Sequence, residues 1–311
     1  MSPVVVSLWI YPVKSLAGIP VKEATITSRG FRHDRRLMLV DREGKFVTAR
    51  EFPTLLLVET AIEDGDILRL TFPSMRPSAK REPARSSIQL QPCSPFPHRL
   101  RRLRADEQLR SLRLPLAPSD GATCTVTIWD DRVAARAGFS GEADAMFSEY
   151  LGFPVHLTYL ADDEHRPVDA RYATAGQEVS FADGFPFLAT VVASLEALGA
   201  GIPMERFRPN LVLDGLAAFA EDDFAGFRVG DHVEFQSVKP CSRCPMVNSI
   251  SLPEHSGEIA PYVGAAPLAQ VAMVHPRVVG TKRSAVFGAN LVATAGGLGG
   301  RVAVGAPCTT I

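Results

Sequence analysis

Apolar positions along this chain recur mostly in short runs, bounded by glycine, proline and acidic turns. The first run spans Val4–Ile10 and is largely β-branched. Runs at 37–41 and 46–49 flank Arg42-Glu43-Gly44, and runs at 55–62 and 67–72 flank Glu63-Asp64-Gly65-Asp66. Two such runs around a short glycine-containing turn predict a β-hairpin. Short strands with frequent turn chemistry predict a barrel or a sandwich.

The pattern changes over 74–113. There Arg76, Lys80, Arg81, Arg85, Arg99, Arg101, Arg102, Arg104, Arg110 and Arg113 are interleaved with prolines and serines. This reads as a solvated insertion loop with one short helix around 105–112, the alternative being a docking patch for an acidic redox partner. A strand resumes at 123–129. Ser140 then caps a helix in which Ala143, Met146, Phe147, Tyr150 and Leu151 recur at helical spacing and Gly152 marks the end. A second short helix is predicted over 194–198, capped by Ser194 and followed by Gly199 and Gly201. Runs at 211–213, 232–238, 291–293 and 302–304 predict strands of a second β-rich unit. The fold class is therefore mainly β (α+β), with a few short helices.

At 311 residues the chain is long enough for two domains or one large β-rich unit. A formal net charge of -1 exerts no global pull toward nucleic acid or an acidic membrane, and the Arg-rich segment has almost no interleaved aromatics to stack bases. The N-terminus reads as a strand and not as a signal peptide, and no apolar run is long enough to span a bilayer. The five cysteines, Cys93, Cys124, Cys241, Cys244 and Cys308, are too few and too scattered for a disulfide framework, so a reducing cytoplasm is the expected location.

Cys241 and Cys244 form a C-x-x-C pair with Arg243 between them. No second pair at zinc-site spacing exists, and the setting after a predicted strand and before Pro245 is not that of a thioredoxin-like motif. A thiol beside a guanidinium ionises more readily and suits metal ligation or nucleophilic chemistry. Taken alone, such a pair is more often structural or incidental. Arg208-Pro209-Asn210 offers a cation and an amide around a residue of fixed φ, suited to a phosphate and a heteroaromatic edge, against the plainer reading of a surface loop. Lys14-Ser15 and Asp34-Arg35-Arg36 lie at strand ends, where such side chains either cradle a phosphorylated ligand or are simply solvated. Glu221-Asp222-Asp223 reads as a charged turn more readily than as an acid pair. The seven histidines show no ligand-like clustering. The chain contains no G-x-S-x-G, no P-loop and no H-E-x-x-H, which removes the usual hydrolase, nucleotide and zincin chemistries.

Two blocks of residues together resemble the MOSC family of molybdenum-cofactor proteins. The first is Leu8-Trp9-Ile10-Tyr11-Pro12-Val13-Lys14-Ser15, then Gly30-Phe31-Arg32 with Asp34-Arg35, then Val47-Thr48-Ala49-Arg50 and Pro53. The second runs from Phe181-Ala182-Asp183-Gly184-Phe185-Pro186 through Ser194-Leu195, Arg206-Phe207-Arg208-Pro209-Asn210, Glu221-Asp222 and Gly230. It continues with Lys239-Pro240-Cys241-Ser242-Arg243-Cys244 and closes at Phe287-Gly288-Ala289-Asn290. Within that family the resemblance is to the amidoxime-reducing members and their bacterial relatives. It implies an N-terminal β-barrel domain over 1–120, carrying the insertion at about 74–113, and a MOSC domain over 121–311 that includes the connecting helix.

The resemblance further implies a molybdenum–molybdopterin cofactor, with Cys244 as the metal ligand and catalytic residue and Cys241 as a neighbour. Lys14, Ser15, Arg35, Arg208, Asn210 and Ser242 match cofactor-holding positions, and Asp183 and Asn290 match positions near the cofactor. The implied activity is reduction of the N–O bond of small N-hydroxylated substrates, with electrons from a separate iron–sulfur or haem protein. The alternative is a molybdenum-cofactor or sulfur carrier without turnover of its own. No pyridoxal-dependent domain fits in the chain, and the C-terminal iron–sulfur domain of some bacterial relatives is missing. Pro245-Met246-Val247-Asn248-Ser249 departs from the Thr-Thr-rich run of the amidoxime-reducing members, and Ala289 stands where Gln is usual.

Overall fold

The computed structural model describes residues 2–73, 109–173, 176–199, 201–249, 266–279 and 281–311. The architecture is mainly β, with three α-helices among the described residues. Val4–Ile10 forms the expected strand, with Val5, Leu8 and Ile10 buried. It pairs antiparallel with Ile19–Val21 on one side and with Leu211–Asp214 on the other. The first strand of the chain thus lies inside a sheet built mostly from the second half.

That sheet has nine strands. Its order runs Cys308–Thr310, Gly226–Val229, Val233–Ser242, Lys282–Ala293, Phe187–Val191, Leu211–Asp214, Val4–Ile10 and Ile19–Val21, with Pro276–Val279 paired to Lys282–Ala293. Phe187, Phe227 and Phe235 pack edge-on or tilted on its buried face. A four-stranded sheet also mixes the halves: Leu37–Val40 pairs with His156–Tyr159, followed by Asp131–Ala137 and Ala122–Ile128. Two three-stranded sheets complete the set, and one of them pairs Arg301–Ala303 with Glu23–Thr27.

The hairpin predicted at 63–66 forms, with Glu63 opposite Ile67. The helix capped by Ser140 spans Gly141–Leu151; Ser140 Oγ accepts a hydrogen bond from Ala143 N, and Gly152 closes the helix at φ 80°. Four expectations are corrected. The run at 55–62 begins as a 3₁₀ turn, Pro53–Leu57, because Pro53 presets the φ of a first helical position, and the strand proper is Glu59–Glu63. The run at 46–49 forms no strand of its own: it meets Leu37–Val40 through the isolated bridge of Phe46 to Val40 and through Val47 N donating to Leu39 O, while Phe46 N donates to Thr127 O. Within 105–112 the expected helix is replaced from Arg110 by a strand, Arg110–Pro115, whose Leu112 and Leu114 alternate into the core; the rest of the Arg-rich stretch lies outside the described residues. Ser194 lies inside the helix Val192–Ala197 and does not cap it.

Ser194 is buried because it partners Glu221, which is also fully buried: Ser194 Oγ donates to Glu221 Oε2 at 2.7 Å and accepts from Phe219 N at 2.8 Å. Asp222 bonds His275 Nε2 at 2.6 Å and Arg277 Nε at 3.0 Å. The side chains of Glu221 and Asp222 therefore form a buried clasp beside the C-terminal end of the helix Pro267–Val274, where the sequence suggested a charged turn, and only Asp223 stays exposed. Glu221 Oε1 has no hydrogen-bond partner among the described residues, and burial lifts this carboxyl to about 7.

Two predictions follow from this packing. A carboxyl whose folded pKa lies above its unfolded value stabilises the fold below the unfolded value and loses that contribution as pH rises through the folded one. Urea titrations of the parent should lose about 3 kcal/mol between roughly pH 5 and pH 8 that Glu221→Gln does not lose. The second concerns Gly288, at φ 86°, where a Cβ would lie 2.7 Å from the Ala189 carbonyl oxygen. Gly288→Ala should cost about 2 to 4 kcal/mol in the same titration, through left-handed strain and that clash.

Candidate functional site

The strand Val4–Ile10 leads into Tyr11 and then the loop carrying Lys14 and Ser15. Asp34 lies across from it, fully buried, and its carboxylate accepts from Tyr11 N at 2.8 Å and from Arg35 Nη1 at 2.6 Å. Arg35 also reaches Asn210 Oδ1 at 3.3 Å and the Arg208 carbonyl oxygen at 3.2 Å. The guanidinium carbons of Arg35 and Arg208 lie 4.4 and 4.1 Å from the centroid of the Tyr11 ring, within cation–π range. Tyr11 therefore shields two like charges from each other while its hydroxyl donates to the Pro209 carbonyl oxygen at 3.1 Å.

Three residues here hold left-handed backbone conformations that side-chain-bearing residues rarely adopt: Ser15 at φ 73°, Arg35 at 50° and Arg208 at 54°. Strain of this kind persists where the surroundings over-determine it, and it clusters at functional sites. Asn210 shows what enforces it. Its Nδ2 donates to the Trp9 carbonyl oxygen at 3.2 Å and its Oδ1 accepts from Leu188 N at 3.2 Å, which ties the first strand to the sheet interior.

A cavity of about 120 Å³ opens beside this network. Lys14, Ser15, Arg35, Asp183, Arg208, Asn210 and Asn290 all contribute to its wall, as do Thr48, Arg50, Cys241, Arg243 and Met246. Two of the sequence-predicted site residues lie outside that wall. Ser242 is exposed at the end of the strand Val233–Ser242. Cys244, half-buried, adjoins the cavity through Arg50, whose Nε donates to its Sγ at 3.3 Å. Cys241, placed by the sequence as a neighbour, lines the cavity itself and accepts from Arg243 Nη1 at 3.0 Å. Each thiol thus has its own guanidinium.

Sequence reasoning gave no site role to Arg50, Tyr11 or Arg166. Arg50 bridges Cys244 and Asp183, with Nη2 donating to Asp183 Oδ2 at 2.7 Å. Lys14 Nζ holds the other carboxylate oxygen at 2.6 Å and also donates to the Phe181 carbonyl oxygen. Arg166, buried, donates to the carbonyl oxygens of Ser180, Ala182 and Asp183, so it clamps the backbone that presents Asp183. No spacing rule links residue 50 to 244 or 166 to 183, and only the fold brings them together.

The electrostatics are lopsided. Five cations, Lys14, Arg35, Arg50, Arg208 and Arg243, face a cavity whose wall carries the single carboxylate Asp183. Burial presses Lys14 below its usual range against the pull of Asp183, and pushes Arg208 down to about 10, still protonated at neutral pH. The Asp183 side chain is half exposed, and Lys14 and Arg50 beside it hold its carboxyl below the usual carboxylate range. Arg208 Nη2 and Arg243 Nε are buried without a hydrogen-bond partner among the described residues. Unpaired buried donors on cations are costly, and an anion carrying several acceptor oxygens would satisfy them.

Comparison with known proteins finds two family models in this chain. Residues 2–108 match the model of the MOSC N-terminal beta barrel domain, and residues 176–308 match that of the MOSC domain. The chain belongs to the MOSC-domain family. It is 31% identical over 254 residues to mitochondrial amidoxime-reducing component 1 of Mus musculus and 29% identical over 259 residues to mitochondrial amidoxime reducing component 2 of Macaca fascicularis. Each alignment covers 77% of this chain and 64% of the relative, so this MOSC protein spans about 64% of the length of those relatives. It is also 28% identical over 267 residues to the molybdenum cofactor sulfurase of Drosophila willistoni, covering 84% of this chain and 28% of that protein. No helix among the described residues is long and apolar enough to cross a membrane.

The surplus of positive charge is testable without any cofactor. Inorganic phosphate or pyrophosphate should raise the melting temperature of the cofactor-free MOSC protein. Arg208→Met should weaken that binding about tenfold or more, read as the shift in the phosphate dependence of melting.

Proposed function

We propose that this MOSC protein is a molybdenum-cofactor-dependent reductase of small N-hydroxylated compounds. One observation carries the reading: a cavity with five inward cations, two of them with orphaned buried nitrogens, lies directly beside a thiol that is held by a guanidinium. An anionic, phosphate-bearing pterin fits the cations, and the sulfur of Cys244 is a soft donor suited to a metal bound to it. The residues present therefore fit the cofactor. The names of the amidoxime-reducing relatives supply the substrate class.

In this reading Lys14, Ser15, Arg35 and Arg208 hold the pterin and its phosphate, with Ser242 and Asn290 as further contacts and Cys244 as the metal ligand. Asn210 acts mainly by fixing the loop, since its amide is already engaged by Trp9, Leu188 and Arg35. Asp183 orders Lys14 and Arg50 at the cavity wall. The cofactor supplies two-electron oxygen-atom chemistry. Overall, the N–O bond of the substrate breaks, two electrons and two protons are consumed, and the amine or amidine leaves with one water. The electrons come from a separate iron–sulfur or haem protein. The sparse cysteine content supports a cytoplasmic location.

A second reading is favoured by the similarity to a molybdenum cofactor sulfurase and by Cys241 on the cavity wall: a carrier of cofactor or sulfur without turnover. Elemental and pterin analysis after expression in a host that makes molybdenum cofactor tests the cofactor, and reduction of an aryl amidoxime with a chemical electron donor separates the two readings. Near-stoichiometric molybdenum and pterin are expected. Cys244→Ala should lose the metal and at least about 100-fold in activity, while Cys241→Ala loses less than about tenfold. Cofactor-free protein from that host would sink both readings, and a loaded protein inert toward amidoximes would favour the carrier.

A further inference from the structure

Among the described residues Arg50 is the cation of the cavity wall that touches the Cys244 sulfur, and its other contacts hold its plane. Its Nε donates to Cys244 Sγ at 3.3 Å and its Nη2 to Asp183 Oδ2 at 2.7 Å. Its guanidinium carbon lies 4.3 Å from the centroid of the Trp129 ring. Trp129 occupies the turn between the strands Ala122–Ile128 and Asp131–Ala137, at a left-handed φ of 54°, and is 47% exposed. A large aromatic in that conformation, half in solvent, is costly, so something local must hold it there.

Three contacts do so. Phe46 packs edge-on against the Trp129 ring at 5.0 Å between centroids. Asp131, two residues on, accepts from Arg166 Nε and Nη2 at 3.0 and 2.9 Å, and the same Arg166 clamps the backbone at Ala182 and Asp183. The third is Arg50 itself. The tip of the hairpin, the loop at 180–183 and the thiol of Cys244 are thus joined in one continuous set of contacts with Arg50 at its centre.

The geometry points to Arg50 as a positioning residue: stacked on Trp129 and anchored by Asp183, it orients the Cys244 sulfur and tunes the metal that this sulfur would bind. The inference rests on Cys244 as the ligand. A cationic donor on a ligating thiolate withdraws electron density from the sulfur and favours the more reduced metal, and outer contacts of this type set potential as well as affinity. Trp129 acts at one remove, by restricting the guanidinium plane so that Nε, and not a terminal nitrogen, meets the sulfur.

The test compares Arg50→Gln, Arg50→Lys and Trp129→Leu with the parent, using the whole protein. In molybdenum-loaded samples the readouts are metal content, the Mo(V) electron paramagnetic resonance signal and the midpoint potential. Arg50→Gln should shift the signal and lower the potential, Arg50→Lys should recover part of the shift, and Trp129→Leu should give a smaller shift in the same direction. A signal and potential unchanged in Arg50→Gln would overturn the assignment, as would loss of metal in Arg50→Gln with Trp129→Leu unshifted. Should even the parent hold no molybdenum, the reductase reading fails separately and the cofactor-free protein decides for Arg50. Alkylation by iodoacetamide at neutral pH, mapped by mass spectrometry, should then slow about three-fold at Cys244 in Arg50→Gln and stay constant at Cys241. Equal rates at Cys244 in parent and variant would overturn the inference there too.

Discussion

Buried positive charge is the constraint on which this structure turns. Five cations face one small cavity, and two carboxylates carry most of the compensation: Asp34 beneath Arg35, and Asp183 between Lys14 and Arg50. Like charges brought out of water repel strongly, and a carboxylate between two of them offsets both the repulsion and the lost hydration. Tyr11 adds its ring to the same end, with two guanidinium groups over it. The compensation stops short at the cavity itself, where nitrogens of Arg208 and Arg243 have no hydrogen-bond partner among the described residues. An anion with several acceptor oxygens would make up that shortfall.

Holding such a site open requires rigidity from both halves of the chain. The strand Val4–Ile10 pairs with Leu211–Asp214, and Asn210 stitches the same junction with its side chain. Lys14 and Ser15 follow directly from that strand, and Arg208 and Asn210 precede its partner. Cooperative ladder bonds therefore hold residues about two hundred positions apart in fixed register, and the left-handed backbones at Ser15, Arg35 and Arg208 are sustained by that framework. The same logic applies at the thiols, where the strand Val233–Ser242 delivers Cys241 to the cavity and ends just before Cys244.

The clasp around Glu221 has a different character. It carries no cavity contact, yet it joins the helix Val192–Ala197, the short turn at 220–222 and the Pro276–Val279 strand through Ser194, Asp222, His275 and Arg277. Phe219 stacks on His275 at 3.8 Å with nearly parallel planes. Side chains that look like catalytic acids in a sequence serve here as packing, because burial and full engagement of Asp222 leave no room for a substrate.

The sequence by itself determined the mainly β character, the Ser140-capped helix and the hairpin at 63–66, because each rests on local chemistry: period-two burial, a capping hydroxyl or a glycine turn. Most of the cavity's polar residues were legible only through the family resemblance, since charges at strand ends read equally well as solvated. The sequence misplaced elements where neighbours in space overrode local preference. Ser194 became a buried partner of Glu221 instead of a cap, and Arg110 to Leu112 joined a ladder instead of a helix. Only the tertiary structure decided that Cys241 lines the cavity while Cys244 meets it through Arg50, and that Arg166 and Trp129 stand behind Asp183 and Arg50. Those relations span up to 194 positions of chain, and no local pattern encodes them, since they arise from how strands of the two halves share their sheets.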